Sequence, residues 1–317
     1  MKKILYVVHR YAPYPGGSEN HIRDLAEETV AQGNDVTVFT GLHNGNLNSV
    51  KVTSDVSILK ESFDLIVVHG GDVAIQNFVL SNAKNIKSPI LYLIILPSDS
   101  DVCIKALHDV KYIGCCTEAD WKHVEKYNVY NKAKHIPISI NPKISVGVSG
   151  FKKKYGINTP KMFLSSGGFW PHKGMEELCE LYLRVPIKDT TLVLTGYQNS
   201  DLMPKNTNKI RSILLEDRQE VLNAIFEADL YIMNSTHEGF GLVLLEAVLN
   251  KTPWISREIA GAKEMKNYGQ TYTTRQELMK LIYHFDRDED KVEKAKQFVL
   301  NYYTTSFAVE KILELIC

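Results

Sequence analysis

At 317 residues, with 44% hydrophobic and 23% charged residues, the chain has the composition of an ordinary globular protein and exceeds the length over which one core keeps growing, so two domains are expected. Lys and Arg number 37 against 37 Asp and Glu, and the balance is even in both parts: residues 1–150 carry 15 of each sign and the remainder 22 of each. That argues against a dedicated nucleic-acid binder and against a protein adsorbed on anionic membranes.

In chain order, Lys3 to His9 reads as a buried strand, followed by Pro15-Gly16-Gly17-Ser18-Glu19 and a helix to Gly33. Ser18 is expected to cap that helix, with Ile22, Leu25, Ala26 and Thr29 or Val30 on its inner face. The glycine pair Gly16 and Gly17 lets backbone approach a ligand closely. Asp35 to Thr40, Asp64 to His69, Ile90 to Leu96 and Tyr112 to Cys116 read as further strands, with Glu118 to Tyr127 as a helix. Their alternation predicts a parallel sheet covered by helices on both faces. The apolar run Pro89 to Pro97 is too short to span a bilayer. Cys103, Cys115, Cys116, Cys179 and Cys317 are odd in number and form no CxxC. With no signal peptide in view, they read as reduced thiols of a cytoplasmic protein.

The pattern breaks near Ile136-Pro137, and the stretch to Gly150 reads as a domain junction, dividing the chain at 1–143 and 144–317. Lys152 to Lys154 reads as a solvated helix end. The second half repeats the architecture: a strand at Met162 to Ser166, Gly167-Gly168-Phe169-Trp170-Pro171-His172-Lys173-Gly174, then a helix with Met175, Leu178, Cys179 and Tyr182 inward. Lys173 at a strand end is placed to set a point charge against a phosphate. Thr191 to Thr195, Ile210 to Leu214 and Leu230 to Met233 continue the sheet, with a helix at Gln219 to Glu227. The last of these strands runs into Asn234-Ser235-Thr236-His237-Glu238-Gly239-Phe240-Gly241-Leu242, which opens a helix containing Glu246. A strand end that leads into a helix start is where open α/β sheets bind anions, through unpaired backbone N–H groups and positive partial charge. Pro253 to Ser256 and the turn Ala260-Gly261-Ala262 follow. A tail helix, about 306–317, has Val309, Ile312, Leu313 and Ile316 on one face.

These features, in this order, resemble a glycosyltransferase of the GT-B fold, similar to glycosyltransferase family four, over nearly the whole chain. The resemblance rests on the Pro15 to Glu19 loop, Ile136-Pro137, Lys173-Gly174, the E-x7-E pair Glu238 and Glu246 around Phe240-Gly241, and Gly261. It implies two Rossmann-like α/β domains facing a cleft, an N-terminal acceptor domain and a C-terminal donor domain, with the tail helix crossing back to the first. It further implies a retaining, metal-independent hexosyl transfer from a nucleotide-sugar, expected to be a UDP-sugar such as UDP-glucose. In that reading Lys173 neutralises the diphosphate and Glu238 meets the transferred sugar. Glu246 accepts from the ribose, and the backbone at Gly168, Gly239, Phe240, Gly241 and Leu242 holds phosphate and sugar oxygens. Gly16 and Gly17 close over the diphosphate, and His69 is the candidate histidine of the first domain.

Asp99-Ser100-Asp101 spells the DxD metal signature of another transferase fold, but it lacks that fold's context, and no metal is expected. Two departures from the family pattern stand out. No arginine lies about six residues before Lys173, and Pro97-Ser98 stands where a histidine is common. The acceptor is a saccharide, a lipid-linked group or another hydroxyl. Three other readings stay open: a viral-type DNA-base glycosyltransferase, a non-catalytic partner subunit and a sugar-nucleotide epimerase.

Overall fold

The computed structural model describes residues 1–14 and 16–317, so Pro15 of the glycine loop lies outside the described residues. The chain divides into two compact units, Met1–Asn141 with Tyr303–Cys317, and Pro142–Tyr302.

The first unit runs β1 (Lys3–Val7), α1 (Gly17–Ala31), β2 (Asp35–Phe39), β3 (Gly45–Leu47), β4 (Val50–Thr53), β5 (Leu65–His69), α2 (Ala74–Ser81), β6 (Ile90–Leu93), α3 (Asp101–Asp109), β7 (Tyr112–Cys115), α4 (Glu118–Lys126) and β8 (Ala133–His135). Its sheet order is β3-β4-β2-β1-β5-β6-β7-β8, parallel except at the β3–β4 edge. Central strands are apolar on both faces, as a sheet covered on both sides requires. Leu5, Val7, Ile66 and Val68 face one core, and Ile4, Tyr6, Leu65 and Val67 the other.

Two local expectations need correction. Ser18 does not cap α1: it is exposed, and the cap position falls to Gly16 at φ 152° with no side-chain cap. Glu19, in the first turn, is 7% exposed and accepts from Arg10 Nε at 2.8 Å. A Cβ on Gly16 would lie 2.1 Å from the Glu19 carboxylate, which would have to shift, and the positive φ of 152° strains any residue other than glycine there. The short hairpin β3–β4 is absent from the sequence reading. Asn48 and Ser49 turn it with φ of 49° and 66°, the two-residue primed geometry, but without the Asn-Gly pair that would announce it.

The second unit runs α5 (Phe151–Lys154), β9 (Lys161–Ser166), α6 (Met175–Arg184), β10 (Thr190–Gly196), β11 (Ile210–Leu214), α7 (Arg218–Glu227), β12 (Leu230–Met233), α8 (Leu242–Leu249), β13 (Trp254–Arg257), α9 (Ala260–Glu264), β14 (Gln270–Tyr272), α10 (Arg275–Tyr283) and α11 (Glu289–Tyr302). Its six strands are all parallel, in the order β11-β10-β9-β12-β13-β14. The final helix, α12 (Thr305–Leu313), belongs to the first unit, where Val309 and Ile312 are fully buried with Ile22, Leu25 and Ala26 of α1. That crossing back of the last helix agrees with the expected fold. It follows a bridge in which Ile140 N–H donates to Tyr303 O at 2.9 Å and Thr305 N–H to Ile140 O at 3.0 Å.

Both sheets reverse direction of winding once. The reversal falls between β1 and β5 in the first unit and between β9 and β12 in the second. Loops leaving the carboxyl ends of strands at such a reversal diverge to opposite faces and leave a crevice between them.

Candidate active site

The second unit's reversal brings together the two stretches that the sequence singles out. Strand β9 delivers Gly167 to Gly174, and β12 delivers Asn234 to Gly241. The first loop is tied to the neighbouring β10 turn, with Gly167 N–H donating to Thr195 O at 2.9 Å and Phe169 N–H to Gln198 O at 2.8 Å. Gly168 is buried; a Cβ there would meet the Trp170 indole at 2.7 Å. Trp170 Nε1 in turn donates to Gln198 Oε1 at 3.1 Å. The loop ends at Gly174, left-handed at φ 64°, from which α6 starts.

Lys173 and Glu238 are in direct contact: the ammonium donates to Glu238 Oε1. Side-chain exposures of 22% and 18% make this a half-buried pair at the crevice. Ser235 Oγ donates to the same carboxylate oxygen at 2.9 Å. The two loops are further joined by Thr236 N–H donating to His172 O at 2.8 Å. His172 lies beside His237, with ring centroids 5.1 Å apart and planes tilted by 32°; burial, reinforced by the Lys173 charge, lowers the His172 pKa below the usual histidine value.

Helix α8 opens at Gly241, φ 85°, with no side-chain cap, so Gly239, Gly241 and Leu242 present a half-exposed backbone at a helix N-terminus while Phe240 is buried beneath. That is an arrangement with affinity for anions. One turn in, Glu246 Oε1 accepts from Arg218 Nη2 at 3.1 Å and Nε at 3.3 Å, and Arg218 Nη2 also donates to Ser145 Oγ at 3.0 Å. The E-x7-E pair thus holds one lysine and one arginine, the first at the loop and the second a turn into the helix.

Arg218 has no place in the sequence reading, which starts the helix at Gln219. The signal available was a cation at a helix start just beyond a strand end. Glu177 and Arg257 are likewise absent from it, and Asn234, which opens the singled-out stretch, is given no role there; Glu177 lies in the first turn of α6 and Arg257 ends β13, and both bond the Asn234 side chain.

Gly16, Gly17 and His69 lie in the first unit, at its own reversal between β1 and β5. Gly17 begins α1, and α1 carries His21, which meets His69 at 2.8 Å, Nδ1 to Nε2. Ser139 N–H donates to His21 Nε2 at 3.2 Å. A backbone N–H can only donate, so His21 Nε2 is the bare nitrogen, and its Nδ1–H donates to His69 Nε2. Both rings are enclosed, and burial lowers the His69 pKa to about 4 and that of His21 well below the usual value. In the Asp99-Ser100-Asp101 tripeptide, Asp99 is engaged by Lys126 Nζ at 2.7 Å and Tyr127 OH at 2.8 Å, and Ser100 caps α3. No helix among the described residues is long and apolar enough to cross a membrane.

Residues 149–300, which hold the second unit's candidate site apart from Ser145, match the family described as Glycosyl transferases group 1. The N-acetyl-alpha-D-glucosaminyl L-malate synthase of Bacillus anthracis is 28% identical over 127 residues, 38% of this chain and 33% of that protein, so the match spans about a third of the relative's length. Among solved structures, HepE of Anabaena in complex with UDP and glucose superposes with a TM-score of 0.78, covering 100% of this chain and 99% of that one at 16% identity. Sucrose-phosphate synthase of Thermosynechococcus elongatus gives 0.79, covering 99% and 98% at 15% identity. At these identities the likeness is one of fold, and the fold is GT-B, as the sequence resemblance implied.

Proposed function

With residues 149–300 belonging to the group 1 glycosyl transferases, we propose that the protein is a retaining, metal-independent glycosyltransferase that moves a hexose from a UDP-sugar to an acceptor hydroxyl. The observation that carries this reading is the convergence of Lys173, Glu238, an uncapped helix start and an arginine-anchored Glu246 at one sheet reversal. HepE, a neighbour in fold, has been crystallised in complex with UDP and glucose and also with UDP-glucose, which supports this donor class.

Cleaving the bond between an anomeric carbon and a diphosphate builds positive charge on the sugar ring and negative charge on the leaving oxygen. Groups aimed at that oxygen stabilise the transition state more than the ground state. Lys173 supplies the cation, and its three N–H donors let it serve a diphosphate while keeping Glu238. The N–H groups at the start of α8 supply fixed donors that need no reorganisation during the reaction. Glu238, held by Ser235, accepts from the sugar hydroxyls and faces the developing positive charge. Glu246, oriented by Arg218, accepts from the ribose hydroxyls. The five free thiols suit a reducing compartment, and we read the enzyme as cytoplasmic.

The test is titration calorimetry with UDP, GDP and ADP, then turnover of the matching sugar nucleotide followed by NMR of the product anomer. UDP binds selectively, Lys173→Ala weakens it at least tenfold and lowers turnover about 10²-fold, the scale of one lost transition-state donor, and the anomeric configuration is kept. Tight binding of UDP-sugar with no turnover against any acceptor panel would overturn the transferase reading in favour of a binding subunit. Inversion of the product anomer would overturn retention.

A further inference from the structure

We propose that Asn234 is a positioning residue that fixes both Lys173 and Glu238, and that Glu177, Arg257 and Tyr272 exist in this unit to hold its amide in one orientation. The inference rests on the function proposed above.

Asn234 is the first residue beyond β12 and is 1% exposed. Its Nδ2 donates to Gly174 O at 2.7 Å and to Glu177 Oε2 at 2.9 Å. Its Oδ1 accepts from Arg257 Nη2 at 3.0 Å and from the Tyr272 hydroxyl. Both N–H groups and both lone pairs of the amide are thereby used. The partners fix the orientation, because a flipped amide would turn N–H groups on the arginine and oxygen on a carbonyl and a carboxylate.

The four partners come from four elements: the turn before α6, α6 itself, the end of β13 and the end of β14. The Glu177 carboxylate joins them, taking Arg257 Nη2 at 2.6 Å on one oxygen and Arg275 Nε at 2.7 Å on the other. Burial works against its charge, but the Asn234 bond and the two guanidinium groups outweigh it and hold the acid below the usual carboxylate range. The anion therefore stays available to Asn234 across neutral pH.

What the amide grips is the site. Gly174 follows Lys173 directly, and a Cβ on this left-handed glycine would lie 2.6 Å from Asn234 O, so the turn rests on Asn234 backbone as well as on its side chain. Ser235, the next residue, holds Glu238 through its hydroxyl. One buried amide thus sets the bases of both members of the Lys173–Glu238 pair. A displacement of about 1 Å in such a pair costs on the order of 10²-fold in rate.

Asn234→Asp tests this, because it keeps size and puts a carboxylate oxygen against Gly174 O and Glu177. The measurements are a cooperative melt to establish folding, UDP affinity by calorimetry, and kcat and KM for UDP-sugar turnover, in wild type and in a Lys173→Ala background. We expect kcat to fall 10- to 100-fold with KM changed less than fivefold, and the same substitution to cost less than twofold once Lys173 is gone. If Asn234→Asp does not fold, Tyr272→Phe removes one of the four bonds and no charge, and it should lower kcat two- to fivefold with the same dependence on Lys173. Wild-type kcat in a folded Asn234→Asp, or an equal loss with and without Lys173, overturns the positioning role alone. A wild type that neither binds UDP nor turns over a UDP-sugar overturns the function, and this inference with it.

Discussion

His69 and His21 show how a single pair of side chains sets a pH limit. Both are buried neutral, so the unfolded chain binds protons that the folded unit refuses. For His69 the folded value is about 4 and the ordinary value 6.5. Its contribution is therefore present in full above pH 6.5 and is lost as pH falls through 4, with about 2 kcal/mol gone by pH 5. Chemical denaturation at pH 7.5 and 5.0 should show that loss in wild type and a flatter profile in His69→Asn; parallel profiles would sink the account. At this scale the sequence was legible where chemistry is local. Lys173 and Glu238 each stand beside a glycine turn between a strand and a helix, and both can be picked out without coordinates. The roles of Asn234 and Arg218 were opaque because the groups they bind are distant in the chain. Their partners, Gly174, Glu177, Arg257, Glu246 and Ser145, are 23 to 73 positions away.

At the scale of the element, strands buried on both faces announce themselves as unbroken apolar runs, which is why β1, β5, β6, β10 and β12 were legible. The pieces that were not legible are three or four residues long: β3, β4, β8 and β14 carry too little pattern to separate strand from loop. Helix α1 is a different failure, since a serine at the right place suggests a cap while the structure puts Gly16 at the cap position with no side-chain cap. Gly16→Ala forces a side chain into the Glu19 carboxylate and into a backbone region closed to alanine. It should cost about 1–3 kcal/mol, read as a lowered thermal midpoint. Arg10→Ala, which removes the partly exposed end of the same contact, should cost less, about 0.5–1 kcal/mol. A Gly16→Ala protein as stable as wild type would mean that the loop relaxes freely.

At the scale of the whole molecule, the two units are not successive. The second, Pro142–Tyr302, is inserted into the first, whose last helix arrives after it. Ile312→Asp places an unpaired charge where α12 meets α1, and it should cost more than about 3 kcal/mol, the price of an uncompensated buried ion. Amide exchange should then rise in α1 and stay unchanged in α6; unchanged exchange in α1 would refute the docking role of α12. The bridge between Ile140 and Thr304 has a consequence for how the protein is made. A ribosome releases the strands of the first sheet, then all of residues 142–302, and only afterwards the helix that covers Ile22 and Leu25. At 5–20 residues per second that apolar face waits roughly 15–60 s for its cover. During that interval it is a nascent-chain surface that a chaperone at the exit tunnel would meet first.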